Sequence, residues 1–319
     1  MGAPAQSLPT RILPVEDAMD EAVRVLAGGE PVAVPTETVY GLAADATNGD
    51  ALARIFEAKN RPRFNPLIAH ISSMAMAENV GVFDLLSRQL AEKFWPGPLT
   101  LVVPVRENNL HPLCLAGLST VGLRMPQGFA RELIERFGRP LAAPSANPSG
   151  ALSPTTAKVA YDGLRGRIPL VVDGGPGTVG VESTILKVEE GAIRLLRPGG
   201  LSVEEIEAAT GVSVQRAAPN AAIEAPGMML SHYAPNAAMR LDATEARANE
   251  TLLGFAGTPG AALDLSPGGN LREAARNLFS FLKRLDEEGA STIAVAPIPM
   301  AGLGEAINDR LARAAAPRS

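Results

Sequence analysis

The stretch Pro31-Val32-Ala33-Val34-Pro35-Thr36-Glu37-Thr38-Val39-Tyr40-Gly41 changes character halfway. Residues 31–35 are an apolar run of the length of a short buried strand. Residues 35–41, PTETVYG, then set two threonines, a glutamate and a tyrosine where that strand ends. Ligands of α/β sheets bind at strand ends, so the junction predicts an α/β fold with a site at its rim. Alone, the stretch also reads as an ordinary turn with β-branched residues, and support has to come from the rest of the chain.

Outward from this junction, Asn48-Gly49-Asp50 opens a helix whose apolar face is Leu52, Ile55 and Phe56 and which Pro62 stops. Pro66–Ile71, Leu99–Val105, Val121–Met125 and Leu170–Val172 read as strands, and Gly128–Phe137 as a helix. Ser153-Pro154 has the form of a helix start, with serine as cap and proline first inside. Thr184–Val188 and Ala192–Leu196 predict a hairpin around Glu190-Gly191. Ser202 and Glu205 form a capping box for the next helix. After Gly211 the texture turns to Ala, Pro and Asn as far as about Asn236, which reads as a linker. A smaller α/β unit follows, with strands near 251–256, 261–265 and 292–296. Between them a long helix carries Leu271, Ala275, Leu278, Leu282 and Leu285 on one face, and a last helix follows the final strand. The expected division is 1–211, 212–237 and 238–319.

Composition narrows the function. The 319 residues are 46% apolar and 20% charged, with a net charge of −5, enough to fill two cores and poorly suited to coating nucleic acid. No signal peptide or membrane-length apolar run is present, and the single cysteine, Cys114, can build neither a disulfide nor a cysteine zinc site. These features predict a cytoplasmic protein with no membrane contact.

Between Arg54 and Arg63 four basic residues stand against the single acid Glu57. Pro62 favours an extended Arg61, so that Lys59 and Arg61 can face one polyanion, a compact ammonium beside a planar fork. A solvated basic helix end is the plainer alternative. Arg124 lies among Val121, Leu123 and Met125 and needs a partner if half-buried; a small carboxylate suits it. His70, in LIAHI, is as a lone strand histidine more often structural than catalytic. Residues 144–150, PSANPSG, offer hydroxyls and amides for phosphate or ribose, or for simple Asx and Ser turns. No Walker loop or dinucleotide glycine fingerprint occurs, so a nucleotide would need another scaffold.

In this order, PTETVYGL, KNRP followed by NPL, LRMP, PSANPSG, VESTI and LRPG resemble the YrdC-like L-threonylcarbamoyladenylate synthases. Pro226-Gly227-Met228 and Ser231-His232-Tyr233-Ala234-Pro235 resemble the linker of the family's long form. The resemblance implies a YrdC-like twisted open sheet with flanking helices, a linker, and a small Rossmann-like C-terminal α/β domain. It implies a nucleotidyltransferase that joins L-threonine and bicarbonate as a carbamate, adenylates it with ATP and Mg²⁺, and passes the product to threonylcarbamoyl transferase proteins acting on tRNA. Thr36, His70, Arg124, Ser183 and the backbone of Ala143 would line the threonine pocket. Lys59, Arg61, Asn65, Thr120, Ser145, Asn147, Ser153 and Arg197 would hold ATP, with Tyr233 reaching in from a linker that acts as a lid. Lys59 and Arg61 would also supply catalytic charge stabilisation, with no protein nucleophile or structural metal. Met229-Leu230-Ser231 departs from the more basic or aromatic segment expected there.

Two other readings set the resemblance in context. An RNA-binding module without catalysis would want a clear basic excess; weak RNA contact is the most the charge balance predicts. Carbamoyl transfer in hydrogenase maturation uses a related domain but also cysteine-rich zinc modules, which one cysteine cannot form.

Overall fold

The computed structural model describes residues 9–107, 109–216, 224–227 and 233–317. Met228 to His232, including the departure at Met229-Leu230-Ser231, lie outside the described residues. Two sheets organise the chain. The larger has eleven strands in the spatial order Arg11–Pro14, Leu170–Asp173, Val32–Val34, Gly41–Asp45, Leu141–Ala142, Ile68–His70, Thr120–Arg124, Leu99–Pro104, Thr184–Glu189, Ala192–Arg197 and Val214–Arg216. Its pairing is mixed: Val32–Val34 runs antiparallel to Gly41–Asp45, and Ile68–His70 parallel to Thr120–Arg124.

Why these strands read as unbroken apolar runs is visible in the packing. Successive side chains point to opposite faces, and here both faces of the sheet centre are covered. Val32, Val34, Leu170 and Val172 join a core under the helices Val15–Ala27 and Phe129–Phe137. Ala33 and Val171 join the core on the other face, with Leu52, Ile55 and Phe56 of the helix Gly49–Lys59. That helix has Asn48 as its side-chain cap and ends at Asn60 in the left-handed conformation, before Pro62 is reached.

The smaller sheet is wholly parallel, in the order Ala238–Arg240, Thr292–Val295, Glu250–Gly254, Leu263–Asp264. The helix Leu271–Glu287 buries Ala275, Leu278, Leu282 and Leu285 on it, and Leu303–Ala315 adds Ile307 and Leu311. The Ser202–Glu205 capping box forms as expected.

Two sequence expectations are corrected. Ser153 is not a helix cap: the helix is Ala157–Leu164, and Thr156 caps it by accepting from the Val159 amide. Tyr40 N instead donates to the Pro154 carbonyl at 2.8 Å, which ties this segment to the PTETVYG turn. The region after Gly211 is also not uniformly irregular, because Val214–Arg216 adds a parallel edge strand beside Ala192–Arg197. Among the described residues no helix is long and apolar enough to cross a membrane.

Candidate active site

A cavity of about 60 Å³ opens over one face of the large sheet. Its residues come largely from the ends of six strands. Thr36 follows Val32–Val34; its hydroxyl donates to the Val39 carbonyl at 2.7 Å and accepts from the Thr38 amide, which folds the turn back on itself. His70 and Arg124 end neighbouring parallel strands and are register partners. Ala143 to Ser145 continue from Leu141–Ala142, and the Ala143 amide donates to the Ile68 carbonyl at 3.2 Å. Ser183 precedes Thr184–Glu189, its hydroxyl 2.7 Å from that of Thr100. Arg197 closes the hairpin and donates through Nη2 to the Ser183 carbonyl at 2.8 Å. Arg61, and Gly227 and Tyr233 from the expected linker, complete the wall.

The remaining candidates lie behind this wall, with one exception. Lys59 does not line the cavity; its ammonium donates to the carbonyls of Ser145 and Asn147, each at 2.5 Å, and so holds the PSANPSG loop. Asn147 donates onward to Pro148 and Ala151, and Asn65 is buried in the turn after Pro62. The Ser153 hydroxyl donates to Glu182. Thr120 stands apart. It shares the face of Gly122 and Arg124 by the two-residue period, but sits four residues from Arg124, about 13 Å along the strand at a rise of ~3.3 Å per residue.

Charge is concentrated here. Lys59, Arg61, Arg124, Arg197 and Arg310 are all buried in or against the site, facing the buried carboxylates Glu37 and Glu182. Burial, reinforced by Arg61, pushes the Lys59 ammonium well below the usual lysine range. Burial also brings Arg61 down to about 10, which leaves it cationic at neutral pH. His70 is pushed down to about 3 by burial and by Arg124, so its imidazole is neutral. Among the described residues, Nε of Arg61, Nε of Arg124 and Oδ1 of Asn147 are buried without a hydrogen-bond partner. Such atoms are costly unless a ligand meets them.

Five contributors escaped sequence reasoning. Glu37, Thr38 and Glu182 stand inside quoted stretches but drew no role; Thr100 and Arg310 lie outside them. Arg124 donates through Nη2 to Glu37 at 2.7 Å and to Thr38 at 2.8 Å, so the partner it was expected to need is already supplied within the chain. Cys114 is a buried core thiol, pushed up to about 12 by burial, and no nucleophile. Among the described residues no three or more His, Cys, Asp or Glu side chains are grouped as a metal site.

Residues 24–199 match a family model named for Sua5, YciO and YrdC and described as telomere recombination. Residues 201–316 match the model of the threonylcarbamoyl-AMP synthase C-terminal domain. The chain belongs to the threonylcarbamoyl-AMP synthase family. The synthase of Pyrococcus abyssi is 40% identical over 96% of this chain and 97% of its own length. That of Bacillus subtilis is 40% identical over 93% of each. The crystal structure of P. abyssi Sua5 complexed with L-threonine superposes with a TM-score of 0.87 at 38% identity, covering 96% of this chain and 98% of that one. These relatives bear enzyme names, and their similarity supports a synthase over an RNA-binding module.

Proposed function

We propose that the chain makes L-threonylcarbamoyl-AMP and pyrophosphate from L-threonine, bicarbonate and ATP, supplying the threonylcarbamoyl group for adenosine modification in tRNA. The observation that carries this reading is the meeting of Arg124, His70, Thr36 and Ser183 with Arg61 and Arg197 around one cavity. The first group suits a small hydroxylated amino acid, its carboxylate at Arg124. The second suits phosphoryl groups, with Lys59 holding the loop that presents Ser145 and Asn147.

The reaction asks for no protein nucleophile. The threonine amine captures carbon dioxide from bicarbonate as a carbamate, and a carbamate oxygen attacks the α-phosphorus as pyrophosphate leaves. Catalysis then consists of alignment and neutralisation of developing phosphate charge by Arg61 and Arg197, with Lys59 acting through the loop it holds. Neutral His70 adds no like charge beside Arg124, and a covered site protects the short-lived carbamate. The described side chains offer no magnesium cage, so the metal enters as part of MgATP, on the phosphates.

The described linker residues pack against the sheet face beside the site. Ala225 is buried against Ile68, Val102, Ile185 and Leu196 on the sheet face, while Arg197 donates to the Pro226 carbonyl at 3.3 Å. Glu224 pairs with Lys187 and Arg194. The remaining cavity has room for only a few water molecules, far less than ATP. Residues 212–237 therefore act in this reading as a lid that lifts for ATP, anchored on the 238–319 domain.

Purified protein incubated with threonine, bicarbonate and MgATP should yield threonylcarbamoyl-AMP by mass spectrometry, with pyrophosphate release dependent on all three. Pyrophosphate release that ignores threonine would refute the reading.

A further inference from the structure

The largest fully buried side chain among the described residues belongs to the C-terminal domain, yet it points at the site of the first. Arg310, on the helix Leu303–Ala315, is 0% exposed. Its Nε donates to Oε2 of Glu182 at 2.7 Å, and its Nη2 to the Pro198 carbonyl at 3.1 Å. Its guanidinium carbon lies 5.1 Å from the centre of the Tyr233 ring, within the range of a cation–π contact. Nη1 is held by Asp309 at 2.5 Å. One planar cation thus meets a cavity-lining carboxylate, the backbone beside Arg197, and the aromatic residue that closes the linker over the cavity.

Glu182 explains why a cation is required. A buried carboxylate in a chamber meant for phosphates opposes its own ligand unless it is neutralised. It has two neutralising neighbours, Arg310 from the last helix and Arg197 from the hairpin, and a hydrogen bond from the Ser153 hydroxyl in the loop before the helix Ala157–Leu164. The other ionisable group facing it is Tyr233 from the linker, while Asp309 faces Arg310 and Tyr233. Arg197 already serves the Ser183 carbonyl and hydroxyl and Pro226. Without Arg310, Glu182 would either draw Arg197 away from the cavity or take up a proton.

We propose that Arg310 is a positioning residue for the adenylation site, through which docking of the C-terminal domain sets the charge of Glu182 and the seat of Tyr233. The proposal rests on the synthase reading above. It gives the C-terminal domain a part in the chemistry: the domain keeps Arg197 free for the nucleotide. Burial would raise the Glu182 carboxyl, but Arg310, then Arg197 and the Ser153 hydrogen bond, bring it to about 2. Burial would lower the Arg310 guanidinium, but Glu182, Tyr233 and Asp309 raise it above its usual range.

The test compares full-length wild type, Arg310→Met, Glu182→Gln and the Glu182→Gln/Arg310→Met double variant, following threonylcarbamoyl-AMP formation from pH 6 to pH 8.5. Arg310→Met should lose on the order of tenfold or more in kcat/KM for ATP at neutral pH. Its activity relative to wild type should rise as the pH drops and Glu182 takes up a proton, because the carboxylate that opposes the phosphates is then neutral. The double variant, with no charge left to neutralise, should recover most of that loss and keep a constant ratio to wild type across the range. Arg310→Met with wild-type kcat/KM at every pH overturns the proposal, as does a folded double variant no more active than folded Arg310→Met. If Arg310→Met does not fold, the double variant decides against Glu182→Gln: activity equal to or above that single variant supports the proposal, and a tenfold deficit overturns it. A wild type that makes no threonylcarbamoyl-AMP defeats the synthase reading itself, whereas an active wild type with an indifferent Arg310→Met defeats only this inference.

Discussion

Nη2 of Arg124 stands 2.7 Å from Oε1 of Glu37, and each side chain is only 6% exposed. The second carboxylate oxygen of Glu37 accepts from the Gln127 amide at 3.1 Å. The PTETVYG turn and the LRMP strand end are therefore joined by a buried ion pair, while Nε of Arg124 stays without a partner among the described residues. Arg124 can hold the turn with one edge and keep another for a substrate carboxylate.

Replacing Arg124 with Met should separate these duties. The threonine KM should rise by about 30-fold or more, matching the ~2 kcal/mol of a lost charge-assisted bond, with the ATP KM little changed. Stranding Glu37 should cost roughly 3 kcal/mol of stability. Adding Glu37→Gln should restore stability in denaturant titrations and leave the threonine KM high. A normal threonine KM in Arg124→Met would contradict the carboxylate assignment.

Lys59 and Arg61 should behave differently from each other. Lys59→Ala removes both the charge and the tether to Ser145 and Asn147, so kcat/KM for ATP should drop by roughly 30- to 100-fold, on the order of 2–3 kcal/mol. Lys59→Arg should not rescue it, because a planar fork cannot replace a compact ammonium between two carbonyls. Arg61→Lys should retain part of the activity, since its cavity-facing charge survives. Steady-state kinetics on the three variants decides the matter.

His70 and Glu182 predict acid lability in overlapping pH windows. His70 is pushed down to about 3, so the unfolded chain binds a proton that the folded one refuses as the pH falls below about 6.5. Stability should decline from there toward pH 3. Glu182, brought to about 2, contributes stability that is complete above its ordinary value near 4.5 and is lost as the pH falls toward 2. His70→Gln should flatten the melting-temperature profile between pH 7 and pH 5; a profile parallel to wild type would refute the histidine's part.

Gly199 packs where no side chain fits. A Cβ there would lie 2.4 Å from the Glu182 carbonyl oxygen, the Ser183 carbonyl carbon and the Thr184 nitrogen. Gly199→Ala should cost about 1–3 kcal/mol through overpacking and lower product formation by displacing Ser183. Thermal melting and turnover measured together would show both effects or neither.

A fragment ending at Arg216, which keeps the edge strand, should fold and turn over poorly, because it lacks the lid and leaves Glu182 without Arg310. Circular dichroism and product assays on the fragment provide the check; full activity would remove the lid from the mechanism.

Much of this was legible in the sequence because it is local. The apolar run through PVAVP, the capping box at Ser202 and Glu205, and the amphipathic face of Leu271–Glu287 each depend on residues within a few turns of one another. Ser153-Pro154 misled for the opposite reason. Its capping pattern is genuine, but the serine hydroxyl goes to Glu182, 29 residues away, and Thr156 takes the cap. The ordered stretches identified which strand ends matter without revealing that Glu37 would claim Arg124. Arg310 left no local sign: one arginine among several on an amphipathic helix becomes distinctive only when the fold brings it to Glu182, 128 positions earlier in the chain.

The spatial order of the large sheet has a consequence for how the protein matures. Val32–Val34 is flanked by Leu170–Asp173, and Leu99–Pro104 by Thr184–Glu189, so no contiguous half of the first two hundred residues can assemble the rim alone. Long-range pairings of this kind form slowly. A newly made chain therefore gains its affinity for nucleotide late and all at once, and added substrate should trap finished molecules without rescuing partly folded ones.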